Sequence, residues 1–205
     1  LYGPPASNRK VKIKCEIRSE TFSPEKYKSF NFKTSERDFS SKEINIIESN
    51  LDDNGEINFN FQIEENIKAP SSLRGILAAT VIESGGRAIS QYKTFRIHPY
   101  THYVGIRAIK DNTEISEKKE FQIILLDQEG NSVSSRELTA NIYKINWNWN
   151  YIVKDGRRRW MSEKEETFIN SQVLYSEAKP IIFSSIPTDW GNYRIDIIDK
   201  ESEMM

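Results

Sequence analysis

Apolar and polar residues alternate along several stretches of the chain, as expected for β-strands that bury one face and expose the other. Between residues 10 and 18 the alternation is unbroken, and its apolar side is formed by Val11, Ile13, Cys15 and Ile17. Residues 56–63 repeat the pattern with Ile57, Phe59, Phe61 and Ile63. Both segments are therefore predicted to be strands with one face on a core.

Further strands are predicted where β-branched and aromatic residues concentrate, at residues 76–82, 88–97, 103–108, 121–126, 138–149, 167–175, 181–185 and 193–198. Turn residues separate the segments at 52–55, 84–87, 128–131 and 155–156, where glycine or asparagine permits a positive φ. The best helix candidate, residues 162–168, is short and highly charged. Short strands joined by tight turns predict antiparallel β-sandwiches.

The length of 205 residues fits two sandwiches of about 100 residues each. Pro99 follows one apolar segment and precedes the next, and it cannot donate a ladder hydrogen bond, so we place a boundary there. The predicted fold is all-β, with two consecutive antiparallel, immunoglobulin-like β-sandwich domains at 1–99 and 100–205. Trp190-Gly191 is predicted to mark the turn into the last strand. The predicted cores contain Val11, Ile13, Ile17, Phe59, Phe61, Leu77, Val81, Phe121, Ile123, Leu125, Tyr193, Ile195 and Ile197.

Net charge and hydropathy limit the kinds of partner that the chain is expected to bind. The formal net charge of -1 provides no general attraction for nucleic acid or for an anionic membrane. No apolar run approaches the ~20 residues that a membrane-spanning helix needs, so we expect no direct membrane insertion. The chain begins with Leu1 rather than Met, and we expect it to be an internal piece of a longer, extracytoplasmic protein.

Few residues are available for catalysis or metal binding. The two histidines, His98 and His102, flank Pro99, which argues against one shared helix face, and we expect them to be linker or surface residues. Residues 52–55 faintly resemble a calcium loop but lack its ligand spacing, which favours a hairpin turn. Cys15 is predicted to be a buried hydrophobic residue rather than a reactive thiol. We therefore expect no catalytic residue, no metal and no cofactor.

An aromatic cluster is the sharpest local feature. Trp147, Trp149 and Tyr151 share one face of a regular strand, and Trp160 follows shortly after. Exposed, these residues could stack on sugars or on a partner protein. We favour the alternative, in which they cover the core of their own sheet or a seam between domains. Arg157, Arg158 and Arg159 are expected to occupy a solvated turn that a protease could reach.

Several phrases together resemble the bacterial alpha-2-macroglobulin family. They are LYGPPASNRKVK at 1–12, LDDNGEI at 51–57, VIESGGRAIS at 81–90, FQIILLDQEGN at 121–131 and WGNYRIDIID at 190–199. The resemblance implies two consecutive macroglobulin-like sandwich domains that lie before the bait-region domain. The family's thioester motif is not matched, because Cys15-Glu16-Ile17-Arg18 lacks the required Gln. No thioester is therefore assigned to this chain.

The resemblance also implies a function. The family members are broad-spectrum protease traps of the bacterial periplasm, often lipid-anchored, in which frame domains are not catalytic. The chain is then expected to be a structural frame segment of a periplasmic or cell-surface inhibitor. Its partners would be other domains of the parent chain and, through the parent, target proteases. The alternative is a glycan- or protein-binding module of a cell-surface protein that uses Trp147, Trp149 and Trp160.

Overall fold

The structure is a computed structural model that describes residues 5–64, 66–109, 117–154, 157–187, 189–202 and 204. Within these residues the chain forms strands and no α-helix. The strands are β1 (Lys10–Ser19), β2 (Lys42–Asn50), β3 (Leu73–Ile82), β4 (Ala88–Ile97), β5 (His102–Ala108), β6 (Lys119–Asp127), β7 (Glu137–Lys154), β8 (Arg157–Tyr175), β9 (Ile181–Ser185) and β10 (Asn192–Asp199). A short 3₁₀ turn covers Glu25–Tyr27. In the part of the chain that is described, no helix could cross a membrane.

The chain divides into two compact units. The first contains Leu1–Phe22 and Lys33–Pro99, and the second contains Ser23–Phe32 and Tyr100–Met205. The main division falls at Pro99, but an early segment of ten residues belongs to the second unit. The predicted domain limits, 1–99 and 100–205, therefore remain a prediction.

The first unit is built on one antiparallel sheet in the order β2-β1-β3-β4. The alternation in β1 has the predicted effect, since Val11, Ile13, Cys15 and Ile17 are all buried. Residues 56–63 form no strand, so that prediction is wrong. Their apolar side chains nevertheless pack on the sheet, with Phe59 against the Val11 cluster and Phe61 against the Cys15 cluster. The alternation of apolar residues in this segment thus reflects side-chain packing on the sheet rather than a β-strand.

The second unit is a sandwich of two antiparallel sheets, ordered β10-β7-β8 and β5-β6-β9. Both sheets contribute to one core, which contains Val104, Ile123, Leu125, Leu138, Ala140, Ile142, Leu174, Phe183 and Ile197. Each buried aliphatic or aromatic side chain of this size contributes about 1.5–3 kcal/mol relative to exposure. The predicted all-β, antiparallel fold is confirmed.

The early segment adds an edge to the β5 sheet. The backbone N–H of Asn31 donates to the carbonyl of Ile106 at 2.8 Å, and the N–H of Ile106 donates back at 3.0 Å. Next to this bridge, the fully buried ring of Phe32 covers Gly105. A Cβ at position 105 would lie 2.4 Å from the ring, so only glycine leaves room for it. This contact explains why residues 23–32 belong to the second unit.

The predicted turns that lie within the described residues, at 52–55, 84–87 and 128–131, occur where expected. Residues 84–87 join β3 to β4, with Gly86 at φ +82° and the N–H of Glu83 donating to the carbonyl of Arg87 at 2.8 Å. In residues 52–55, Oδ1 of Asp52 accepts hydrogen bonds from the N–H groups of Asn54 and Glu56, at 2.9 and 2.8 Å. This side chain closes a tight turn, which is the predicted alternative to a calcium loop. The helix predicted at 162–168 is wrong, because those residues lie within β8.

Candidate functional site

The longest strands of the second unit, β7 and β8, form a hairpin that extends past its neighbour. They pair continuously from Glu137 opposite Tyr175 to Lys154 opposite Arg157. The third strand, β10, pairs with β7 only as far as Ile145. Residues 146–154 and 157–165 therefore form a two-stranded segment, which we call the aromatic ribbon. Nine residues per strand give it a length of about 30 Å.

One face of the aromatic ribbon carries four large aromatic side chains. The register places Trp147 opposite Lys164, Trp149 opposite Ser162 and Tyr151 opposite Trp160. Residues directly opposite in an antiparallel pair share a face, so Trp160 joins the three aromatic residues of β7. The rings of Tyr151 and Trp160 meet at a centroid distance of 5.0 Å and an interplanar angle of 60°. We call this the aromatic face.

The aromatic face is exposed to solvent. The exposed fractions are 52% for Trp147, 66% for Trp149, 49% for Tyr151 and 68% for Trp160. The favoured interpretation, in which these residues cover the core of their own sheet, is therefore wrong. The reason is the alternation along β7. Leu138, Ala140 and Ile142 face the core, so the aromatic residues at odd-numbered positions lie on the opposite face of the strand, past the point where β10 stops pairing.

The three arginines occupy a strand rather than a turn. Arg157, Arg158 and Arg159 are the first residues of β8 and pair with Lys154, Val153 and Ile152 respectively. The expectation that the arginines occupy a turn is wrong, because all three are paired residues of β8. The predicted turn residues 155–156 lie outside the described residues. Arg159 is exposed to solvent.

An ion-pair cluster fixes the base of the aromatic ribbon. Glu166 accepts hydrogen bonds from Arg194 Nη1 and Nη2 at 2.6 and 2.9 Å, and Lys164 Nζ lies 2.6 Å from Glu166 Oε1. Arg194 also donates through Nε to Asp196 at 3.0 Å, and its guanidinium stacks over the ring of Tyr143 at 4.8 Å. The hydrogen bonds from Arg194 and then from Lys164 lower the pKa of Glu166 to about 2.

No residue pattern in the sequence predicts this cluster. Arg194 lies on β10 and reaches Glu166 on β8 across the intervening strand β7. Its reach depends on a register shift between Ile142 and Tyr143, which leaves Ile169 of β8 without an opposite residue. A bulge of this kind cannot be located from the alternation of residues.

The remaining candidates are not part of the aromatic ribbon. His98 belongs to the first unit, where its ring meets Phe22 edge-on at 6.0 Å. His102 belongs to the second unit, where Nδ1 lies 3.6 Å from the buried carboxylate of Asp199. Cys15 is fully buried and unpaired with any other cysteine, and burial raises the pKa of its thiol. Its prediction as a buried hydrophobic residue is confirmed.

Two family models match the chain one after the other. The model described as "Bacterial Alpha-2-macroglobulin MG5 domain" matches residues 1–99. The model described as "Bacterial macroglobulin domain 6" matches residues 105–205. The two matches follow each other in chain order and leave only a few residues between them.

Curated relatives match along nearly the whole chain. The alpha-2-macroglobulin of Rickettsia conorii is 28% identical, over 98% of this chain and 11% of that protein. The alpha-2-macroglobulin of Escherichia coli K12 is 24% identical, over 96% of this chain and 13% of that protein. The chain thus spans between a tenth and a seventh of the length of these relatives.

Solved structures share the fold. The native conformation of E. coli alpha-2-macroglobulin is similar with a TM-score of 0.72 and 20% identity, over 98% of this chain and 14% of that one. The E. coli protein activated by porcine elastase has a TM-score of 0.70 and 22% identity, over 99% of this chain and 18% of that one. Salmonella alpha-2-macroglobulin reacted with methylamine has a TM-score of 0.70 and 20% identity, over 98% of this chain and 14% of that one.

Proposed function

The chain belongs to the bacterial alpha-2-macroglobulin family, and from this we propose that it forms two consecutive frame domains of a protease-trapping inhibitor. The carrying observation is the order of the two family matches, domain 5 over residues 1–99 and domain 6 over residues 105–205. A frame segment needs stable sandwiches that hold the spacing between other parts of a longer protein. The buried cores of both units supply that stability.

Protease contact is proposed for the parent protein rather than for this segment. Solved E. coli relatives are described as activated by porcine elastase and by trypsin. The chain spans 11–13% of the curated relatives named above, so cleavage and capture are assigned to parts of the parent outside it. In this proposal the segment contributes no catalytic residue, no cofactor and no thioester. The parent is proposed to act in the periplasm or at the surface of a bacterial cell.

The proposal is tested by comparing the isolated chain with the full-length parent. Elastase or trypsin is incubated with each, and the hydrolysis of a large protein substrate is measured. The parent should slow hydrolysis, whereas the isolated chain should leave it unchanged. Inhibition by the isolated chain would contradict a frame role, and a parent without effect would contradict the trapping role.

Exposure of the aromatic face favours a second candidate function, a glycan- or protein-binding module that uses Trp147, Trp149 and Trp160. The 60° angle between the rings of Tyr151 and Trp160 suits interdigitating protein side chains better than the flat stacking of a sugar chain. Titration of the intrinsic fluorescence with soluble polysaccharides separates the possibilities. A saturable shift that Trp149→Ala abolishes would support glycan binding.

A further inference from the structure

We propose that the outer edge of β8 pairs antiparallel with the same edge of a second copy of this chain. The contact segment is residues 167–175 of β8, which we call the open edge. A twofold axis would join the β10-β7-β8 sheets of the two copies into one continuous sheet. This inference goes beyond the proposed function and does not depend on it.

The first argument is the free backbone of β8. The strand is the last of its sheet, and among the described residues it pairs only with β7. Along such an edge, every second residue presents its N–H and C=O groups to solvent. An extended chain satisfies these groups by adding a strand to the sheet. The backbone therefore identifies the occupant as a β-strand.

The second argument is that the open edge lacks the usual protection against pairing. It carries no charged residue along nine positions, and four of its large apolar side chains are between 45% and 61% exposed: Phe168, Ile169, Val173 and Tyr175. Native edge strands are normally protected by charges, by proline or by short length. Among the other described edge strands, β2, β4 and β10 contain charged residues, β9 has five residues, and β5 is bridged by Asn31. An edge as long and uncharged as that of β8 is expected to pair with another strand.

The third argument is self-complementarity, which points to a second copy. The residues on the two sides of Ser171 match in type, with Asn170 and Gln172 next to it and then Ile169 and Val173. In an antiparallel pair centred on Ser171, an amide therefore lies opposite an amide and a β-branched apolar residue opposite another. Matched cross-strand pairs stabilise a sheet. A twofold contact requires such a match, because the same residues form both of its sides.

The faces of β8 agree with this register. Leu174 belongs to the core, so alternation places Ser171 and Val173 on the opposite face of the strand. An axis through Ser171 pairs residues whose positions differ by an even number, so each meets a residue from its own face. The bulge of the strand lies at Ile169, near one end of the open edge, and residues 170–175 pair regularly with β7.

The fourth argument is charge, which favours the antiparallel direction. Glu163, Glu165 and Glu166 come just before the open edge. With the axis at Ser171, the two copies of Glu166 would lie about 34 Å apart. This exceeds the screening length of about 8 Å at physiological ionic strength. Parallel pairing in register would instead place each acid beside its own copy, which destabilises a sheet.

The first test is sedimentation velocity on the 205-residue chain. A strand pair is a small contact, so we expect a dissociation constant between about 10 µM and about 1 mM. Val173→Lys should raise this constant at least tenfold, because a lysine on an edge opposes pairing. Tyr92→Lys is the matched control, since it adds the same charge at an exposed residue of the edge strand β4. It should associate like wild type.

Each other outcome overturns the proposal. A chain that stays monomeric throughout this concentration range would show that its edge does not pair with a copy. Association that survives Val173→Lys, or that Tyr92→Lys weakens equally, would place the contact elsewhere. Ile169→Lys supplies a second variant should the urea midpoint show that Val173→Lys does not fold.

The second test reads the register by oxidative cross-linking. Directly opposite residues of an antiparallel pair have Cα atoms about 4.5–5.5 Å apart, a distance that a disulfide spans. Ser171→Cys should therefore form a covalent dimer with copper phenanthroline, and Cys15 adds no background because it is fully buried. Ser162→Cys is the control on the same strand, since its two copies would lie about 60 Å apart.

Equal cross-linking of these two variants would contradict the axis at Ser171. The same substitution is then made in the full-length parent, where Ser171→Cys should also cross-link two copies. Cross-linking of the chain but not of the parent would assign the open edge to a strand from another part of the parent, and the second copy would be rejected as its occupant.

Discussion

Arg194 on β10 donates two hydrogen bonds to the carboxylate of Glu166 on β8, at 2.6 and 2.9 Å, across the intervening strand β7. The contact lies where the third strand of the sheet ends and the aromatic ribbon begins. Such bidentate pairs combine charge with fixed geometry. This contact therefore joins the base of the ribbon to β10, in addition to the β7–β8 hydrogen bonds.

Replacing Glu166→Gln is expected to lower stability in a pH-dependent manner. The pKa of Glu166 in the folded chain is lowered from 4.5 to about 2. A lowered pKa stabilises the fold above the unfolded-state value and loses that effect as the pH falls through the folded-state value. The difference in urea midpoint between wild type and variant should be largest above about pH 4.5 and shrink toward about pH 2.

Glu163→Gln is the matched control for this measurement. It makes the same charge change on the same strand, at a residue exposed to solvent. Its midpoint should follow that of the wild type at every pH. A constant difference between Glu166→Gln and wild type from neutral to acidic pH would contradict the assigned role of ionised Glu166.

Arg194→Lys is expected to loosen the ribbon, because lysine cannot make the two-pronged contact with Glu166. Trypsin cleaves where strands open locally, and its rate follows the population of the open form. Cleavage within Arg157–Arg159 should become several-fold faster, as read from the fragments by mass spectrometry. Cleavage after Lys93 in the first unit should keep its rate, and a uniform increase at both places would instead indicate global destabilisation.

Gly105→Ala is expected to destabilise the second unit by about 1–3 kcal/mol, because it overpacks the core. The new Cβ would lie 2.4 Å from the fully buried ring of Phe32. Gly85→Ala is the control, since a Cβ there meets nothing within 4 Å. Its unfolding free energy should stay within about 0.5 kcal/mol of wild type. Equal urea midpoints for the two variants would refute the Phe32 contact.

Cys15 is expected to react with Ellman's reagent only after unfolding. Its side chain is fully buried in β1, and burial raises the pKa of its thiol, so little thiolate forms near neutral pH. Absorbance should show no release of the chromophore from the native chain and one equivalent in denaturing urea. Prompt reaction of the native chain would place Cys15 at an accessible site.

Residue alternation predicted the strands well where the backbone was regular. In β1 the four apolar residues between Val11 and Ile17 face the core as predicted. Strand β2 was missed because a register shift opposite Ile13 leaves Ile46 without an opposite residue, so that apolar Ile46 and Ile47 stand side by side. A single extra residue of this kind breaks the period of two on which the prediction depends.

The site was predicted in part. Alternation placed Trp147, Trp149 and Tyr151 on one face, and the register confirmed it. Their exposure could not be predicted, because both faces of β7 carry apolar residues and packing within the second unit decides which face meets the core. Trp160 joins the same face only through the pairing of β8 with β7. The position of Trp160 on this face therefore depends on pairing between strands, which the local residue pattern does not predict.

The contact of Phe32 with Gly105 has a consequence for biosynthesis. Phe32 is synthesised well before Gly105, so its ring lacks this contact while the residues of the first unit that lie between them in sequence are made. A chain truncated after Pro99 would leave the apolar residues of 23–32 exposed. A chain starting at Tyr100 would leave β5 without its pairing to Asn31. The order of synthesis thus delays completion of the second unit until the first unit has been made.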